Sequence, residues 1–399
     1  MKNLQLPTLS NKPTTAEPYP FLFFMGWIFG AIGSALWPLL IYGFITFYPK
    51  DMHADLMTGA FLVFYSAGFL MTAIPQFTGT YAVTRKEWIG IFFATLLTFS
   101  TVFLQYRLPF HILLTINLTL LFLFCARRLK DMTSIPPPSF VFAVTGILIA
   151  ILSGLGVSLQ ELTGSFAVWG LIGRNFLYNG FQLTLILGVG LFLIPNLLGH
   201  PNCNPGSRPG RIPSQSLIIT FIKQTPTPLW ILLSLFVFSF LIEALTFIKD
   251  SSMIGRGLRV LIFIFVGFKS WQIYRLPKHR SYLSIGLWLS CWSLLTGLLL
   301  PLFFPYLEIH MKHLAYIGGY GLMTLMISTR VMLAHSGYDM ILERKSRWLL
   351  GVVILVLLAA TTRTIARWMP EVHYLNHLNY AACAWMLALV CWAMTFRKK

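Results

Sequence analysis

Apolar runs of about 18–25 residues recur along this chain from near residue 21 to near residue 396, each closed by a short polar break. A run of that length spans the roughly 30 Å hydrocarbon core of a bilayer at about 1.5 Å rise per residue. The pattern predicts twelve helices, over about 21–45, 55–75, 87–105, 109–126, 139–159, 166–196, 229–248, 256–274, 282–303, 311–334, 347–366 and 375–396. The fold class expected is an all-α, polytopic membrane helix bundle. A polar tail, 1–20, carries Pro7, Pro13, Pro18 and Pro20 and lacks the apolar run of a signal peptide. One transmembrane domain, 21–399, follows as two six-helix halves, 21–196 and 229–396. The linker between them, 197–228, is rich in proline and glycine and is too short to build a core of its own.

Composition agrees with this pattern: of 399 residues 56% are hydrophobic and 11% charged, against about 25% charged in soluble domains. The net charge of +18 raises nucleic-acid binding as a reading, but the distribution argues against it. With the N-terminus placed in the cytoplasm, 19 of the 30 basic residues fall in inner segments and nine in outer ones. Cytoplasmic loops collect Lys and Arg, so both termini are expected inside, in a cytoplasmic membrane with lipid as the surrounding partner. The five cysteines imply no disulfide framework, since Cys125 and Cys203 fall on the inner side and Cys291, Cys383 and Cys391 inside helices. His200 to Cys203 reads as a solvated turn.

The histidines change the picture. Six of nine, His53, His111, His310, His313, His373 and His377, fall at the outer ends of the even-numbered helices 2, 4, 10 and 12. His310 and His313 are spaced i,i+3 and His373 and His377 i,i+4, so each pair shares a helix face. Neutral imidazole is a common ligand for iron and copper, and histidines on separate helices can hold a haem between them. No Cys-x-x-Cys-His attachment motif, P-loop or dinucleotide fingerprint is present, so any haem is non-covalent. Intramembrane charge adds candidates. Glu243 lies inside helix 7, with Lys249 or Arg259 to neutralise it. Arg330 lies in the inner third of helix 10 near His335, the two being candidates to anchor a cofactor propionate or an anion, and Arg174, Tyr178 and Gln182 form a polar stripe on helix 6 read as interhelical glue. An internal echo links Gly68-Phe-Leu-Met-Thr-Ala-Ile-Pro75, Gly180-Phe-Gln-Leu-Thr-Leu-Ile and Gly321-Leu-Met-Thr-Leu-Met-Ile327, on helices 2, 6 and 10.

Two segments carry a resemblance. The stretch from Gly68 to Gly79, GFLMTAIPQFTG, is similar to the pattern G-F-L-L-T-A-V-P-N-W-T-G of the NnrS family. His313-Leu-Ala-Tyr-Ile-Gly318 and Thr329-Arg330-Val331-Met332-Leu333-Ala334-His335-Ser336-Gly337 resemble the family's H-x-x-x-x-G and R-x-x-L-G-H-T-G signatures, with Ala334 where glycine is usual. The resemblance implies a haem- and copper-containing membrane protein tied to nitric oxide response. His53 and His313 would be the axial ligands of a haem b, with His310 and His377 as alternates. Where the family opens helix 2 with H-x-H-E, this chain has Met52-His53-Ala54-Asp55, so Asp55 stands for the glutamate and copper is the less supported metal. Haem-copper oxidases offer an architectural analogy: twelve helices, both termini inside, and a low-spin haem held from helices 2 and 10. Helices 6 and 7 here contain no histidine, which argues against a complete oxygen- or NO-reducing centre. The competing expectation is a secondary transporter, with Glu243, Arg174 and Arg330 along a substrate or proton path, and Glu243 and Asp55 are the candidates for a proton or ion path.

Overall fold

The computed structural model describes residues 17–104, 107–165, 167–200, 217–245 and 250–397. Cys203, Lys249 and half of the Pro-rich linker, residues 201–216, lie outside them. Twelve helices are long and apolar enough to cross a membrane. They are α1 (Tyr19–Ile41), α2 (Lys50–Thr78), α3 (Arg85–Phe103), α4 (Leu108–Lys130), α5 (Phe140–Thr163) and α6 (Val168–Leu198). The second half holds α7 (Thr227–Ala244), α8 (Ser251–Trp271), α9 (Tyr282–Phe303), α10 (Pro305–His335), α11 (Arg347–Trp368) and α12 (Glu371–Thr395). Below, the end where the even-numbered helices begin is called the outer end, following the charge pattern.

Local chemistry sets the boundaries. Proline occupies the first turn of α1, α4 and α7, where its missing N–H costs no helical hydrogen bond. A capping box opens α3: the Thr84 hydroxyl accepts from the Glu87 N–H, and the Glu87 carboxylate accepts from the Thr84 N–H at 3.0 Å. α2 stops at Gly79, whose φ of +64° is left-handed and whose absent Cβ would sit 2.4 Å from the Thr133 hydroxyl. No other residue satisfies both demands there. α9 and α10 approach closely at Gly297, where a Cβ would lie 2.2 Å from the Ala315 backbone nitrogen. Small residues let membrane helices meet in this way, because dispersion contacts replace the hydrophobic drive that lipid removes.

Most chain neighbours pack side by side, and α12 returns to lie against α1. The three most enclosed spans are α2, α6 and α10, with 78%, 67% and 67% of the membrane-crossing stretch buried, against 56% or less in every other span. These three form the centre, and the rest present leucines and phenylalanines such as Leu152, Leu261 and Phe238 to lipid. Each central helix also widens into a π-helical segment in its outer half: Asp55–Phe61, Phe176–Gly180 and Leu314–Gly321. A fourth such segment, Gly267–Trp271, ends α8. The sequence echo among helices 2, 6 and 10 is out of register with this. Gly180 and Gly321 close their π-segments, whereas Gly68 lies about two turns beyond Phe61. The threefold likeness therefore belongs to the backbone more than to the motif.

Candidate functional site

His53 and His313 each stand at the threshold of a π-segment, on α2 and α10. The His53 Nδ1 donates to the Gly33 carbonyl at 2.8 Å, and its ring meets the Trp37 indole edge-on at 5.6 Å. The His313 Nδ1 donates to the Ile309 carbonyl at 2.5 Å. With Nδ1 acting as donor in both rings, Nε2 carries the lone pair. A backbone carbonyl on the far nitrogen is the usual way a ligating histidine has its tautomer and ring orientation fixed. His53, His310 and Arg363 all lie within electrostatic reach of His313. The side chains from α2, α10 and α11 thus act on one another at the outer end.

Arg363, on α11, is the residue that sequence reasoning undervalued by counting it as an outer-face cation. Only 7% of its surface is exposed, and its guanidinium donates to the His310 Nδ1 at 2.6 Å. Among the described residues no carboxylate pairs with it, and the groups acting on its charge are the Tyr374 and Tyr48 phenols. A buried cation held by neutral partners is a place for an anion. His310 is therefore committed to Arg363 through one nitrogen. His377 keeps a buried Nδ1 without a partner, and His373 is exposed.

His111 belongs to a separate network. It is wholly buried, with Nδ1 at 2.8 Å from the Glu161 carboxylate and Nε2 at 3.2 Å from the Asp55 carboxylate. Asp55 also accepts from the Arg107 Nε at 2.7 Å and Nη2 at 2.8 Å, and from the Tyr178 hydroxyl. Two carboxylates, one on each ring nitrogen, need an extra proton between them, most simply as an imidazolium. Burial works against the Arg107 charge, but the hydrogen bonds and charge of Asp55 outweigh it and raise the Arg107 pKa. The sequence placed His111 among interfacial imidazoles. Instead both its nitrogens are engaged, because α5 and α2 bring carboxylates over it.

Glu243 sits in a third cluster, paired with Arg256 at 2.9 Å and with Arg259, and accepting from the Asn175 amide at 2.8 Å. Arg259 fulfils the neutralising role expected of it. Arg174 meets Gln160 and Glu161, while Tyr178 meets Asp55 and Gln182 accepts from Ser66, so the helix 6 stripe does bind neighbouring helices. At the opposite end Arg330 pairs with Glu343 in the following loop. His335 accepts from the Gln76 amide at 3.3 Å and lies 3.4 Å from Glu17, beside the Tyr19–Ser336 hydroxyl pair at 2.6 Å. That is a tie between the inner ends of α1, α2 and α10. Glu243, Arg174 and Arg330 are each satisfied locally, and Arg330 stands at the far end from the other two.

Among the described residues no group of three or more His, Cys, Asp or Glu side chains is set to hold a metal ion. What fold and site define is a multi-pass membrane protein of twelve spans, with a carbonyl-anchored histidine pair and a carboxylate-free arginine at one end. The family model described as NnrS protein matches residues 13–399, and the chain belongs to the NnrS family. Membership suggests a membrane protein of nitric oxide response. A comparison with curated proteins finds no match.

Proposed function

We propose that this chain is a haem-binding membrane protein of the nitric oxide response, set in a cytoplasmic membrane with both termini inside. His53 and His313 would hold a non-covalent haem b as axial ligands. The observation that carries the reading is the state of these two rings: each Nδ1 donates to a backbone carbonyl, at 2.8 and 2.5 Å, leaving Nε2 free to ligate. Arg363 fits the same group, since a buried guanidinium without a carboxylate suits an ionised propionate. When bound, haem supplies a redox-active iron that takes diatomic ligands.

Copper draws less support. A copper ion wants three or more nitrogen, sulfur or oxygen donors, whereas haem needs only the two histidines. His310 and His377 remain alternates, His310 with one nitrogen occupied by Arg363. Glu243 and Asp55, once candidates for a proton or ion path, serve in this reading as buried counter-charges, and no observation favours a transporter.

The test is haem content per purified chain, measured as the pyridine haemochrome, for the unaltered protein and for His313→Ala. Near-stoichiometric haem that falls away in the variant is the expected result. Full retention with an unchanged spectrum would mean that the axial pair has been misassigned.

A further inference from the structure

A cavity of about 90 Å³ lies at the centre of the bundle. It is walled by α2 at Tyr65, Ser66 and Phe69, by α6 at Gln182 and Val189, and by α10 at Tyr320 and Thr324, and is closed on one side by Phe23 of α1. Its lining is overwhelmingly apolar. Ser66, Tyr320, Thr324 and Ser328 add hydroxyl-bearing residues to it, and two further polar groups in the lining are orphaned: the Tyr65 hydroxyl and the Gln182 amide nitrogen are buried with no hydrogen-bond partner among the described residues. Tyr65 is 2% exposed and Gln182 4%. The Gln182 carbonyl oxygen, by contrast, accepts from the Ser66 hydroxyl at 3.3 Å, which turns the NH2 to the other side. Buried donors without acceptors are rare in folded proteins and call for an explanation.

We infer that this cavity is a binding site for a small, uncharged, lipid-soluble molecule with one acceptor end, of the size class of a dissolved diatomic gas. Size sets the first limit. An apolar cavity of about 150 Å³ takes benzene or xenon, and this space of about 90 Å³ admits a few light atoms. Charge sets the second, because no ionised side chain lines it. The orphaned groups set the third: the Gln182 NH2 and the Tyr65 hydroxyl can each donate to an acceptor, and neither is bonded to the other.

The backbone gives a separate reason to place function here. The three helices that wall the cavity carry π-segments, Asp55–Phe61 and Phe176–Gly180 just outward of the lining residues and Leu314–Gly321 reaching it at Tyr320. Such segments are uncommon and cluster at functional sites. His53 and His313 stand just before two of them, so the cavity lies further along the helices that present the proposed ligands. Identification of the gas as nitric oxide rests on the function proposed above, while the cavity and its donors do not.

The experiment is xenon pressurisation of crystals of the full chain, compared with Val189→Trp, which fills the cavity with an indole. Xenon density between α2, α6 and α10 is expected, with its loss in the variant. Ordered water on Tyr65 and Gln182 that excludes xenon, or lipid-tail density in its place, would overturn the proposal. Should Val189→Trp fail to fold, Gln182→Leu serves. It removes the amide donor at similar volume and should keep xenon while weakening the broadening of Ile186 and Ile327 methyl resonances by dissolved nitric oxide. Unchanged broadening would overturn the role given to the donors. Xenon needs no haem, so a protein without a Soret band that still holds xenon would sink the haem reading and leave the cavity standing.

Discussion

Asp55→Ala is the perturbation whose cost the structure defines best. The carboxylate is 4% exposed and accepts from four donors: Arg107 Nε and Nη2, the His111 Nε2 and the Tyr178 hydroxyl. Arg107 can recover, since its side chain is 27% exposed and Asp51 already lies 3.4 Å from its Nη1, so its share is discounted for solvent screening. His111 cannot, because it has no exposed surface and would keep only the Glu161 carboxylate and, at 3.3 Å, the neutral Tyr178 hydroxyl. Breaking a buried charged group of this kind costs about 3–5 kcal/mol. Asp55→Asn keeps the volume and one acceptor oxygen, and should lose about 2 kcal/mol. The assay is reversible unfolding in mixed micelles of an ionic and a non-ionic detergent, followed by far-ultraviolet circular dichroism. A double-mutant cycle with His111→Phe should give a coupling of about 1–3 kcal/mol, because the two residues act on each other directly. Additive losses, or an Asp55→Ala loss below about 1 kcal/mol, would refute the imidazolium bridge.

Other consequences follow from single contacts. Arg363→Leu should weaken haem retention through detergent washing while leaving His53 and His313 in place, checked by the haem-to-protein absorbance ratio; an unchanged ratio would remove Arg363 from the site. His335→Ala should leave haem content unaltered and cost about 1 kcal/mol, since its contacts at 3.3 and 3.4 Å are few and partly exposed. Gly297→Leu should prevent α9 from closing on α10, where the Ala315 backbone nitrogen stands in the way, and lower the yield of monodisperse protein on size exclusion.

The twelve helices were legible because lipid leaves the backbone one solution per crossing, and a run of apolar residues advertises it. The predicted 282–303 coincides with α9, and the predicted 347–366 falls two residues short of the Trp368 that ends α11. Helix 1 was drawn to 45 but ends at Ile41, because Gly43 turns with a φ of +77° and no polar break marks the stop. The π-segments could not be read at all, since they change hydrogen bonding without changing hydropathy. Among the candidate site residues, His53 and His313 stand out by position and motif. The fate of His111 was not, because its two carboxylates come from 56 and 50 residues away. Arg363 left one faint sign: it sits inside the end of its apolar run, where a cation needs a reason to be.

The most direct test of the central claim is the visible spectrum of the purified chain, expressed with ample haem supply, in oxidised and reduced forms. The account predicts a Soret band that moves on reduction, with the sharp visible bands of a six-coordinate, bis-histidine b-type haem, and loss of those bands in both His53→Ala and His313→Ala. A protein that folds, carries no Soret band and shows the same spectrum as its two variants would contradict it.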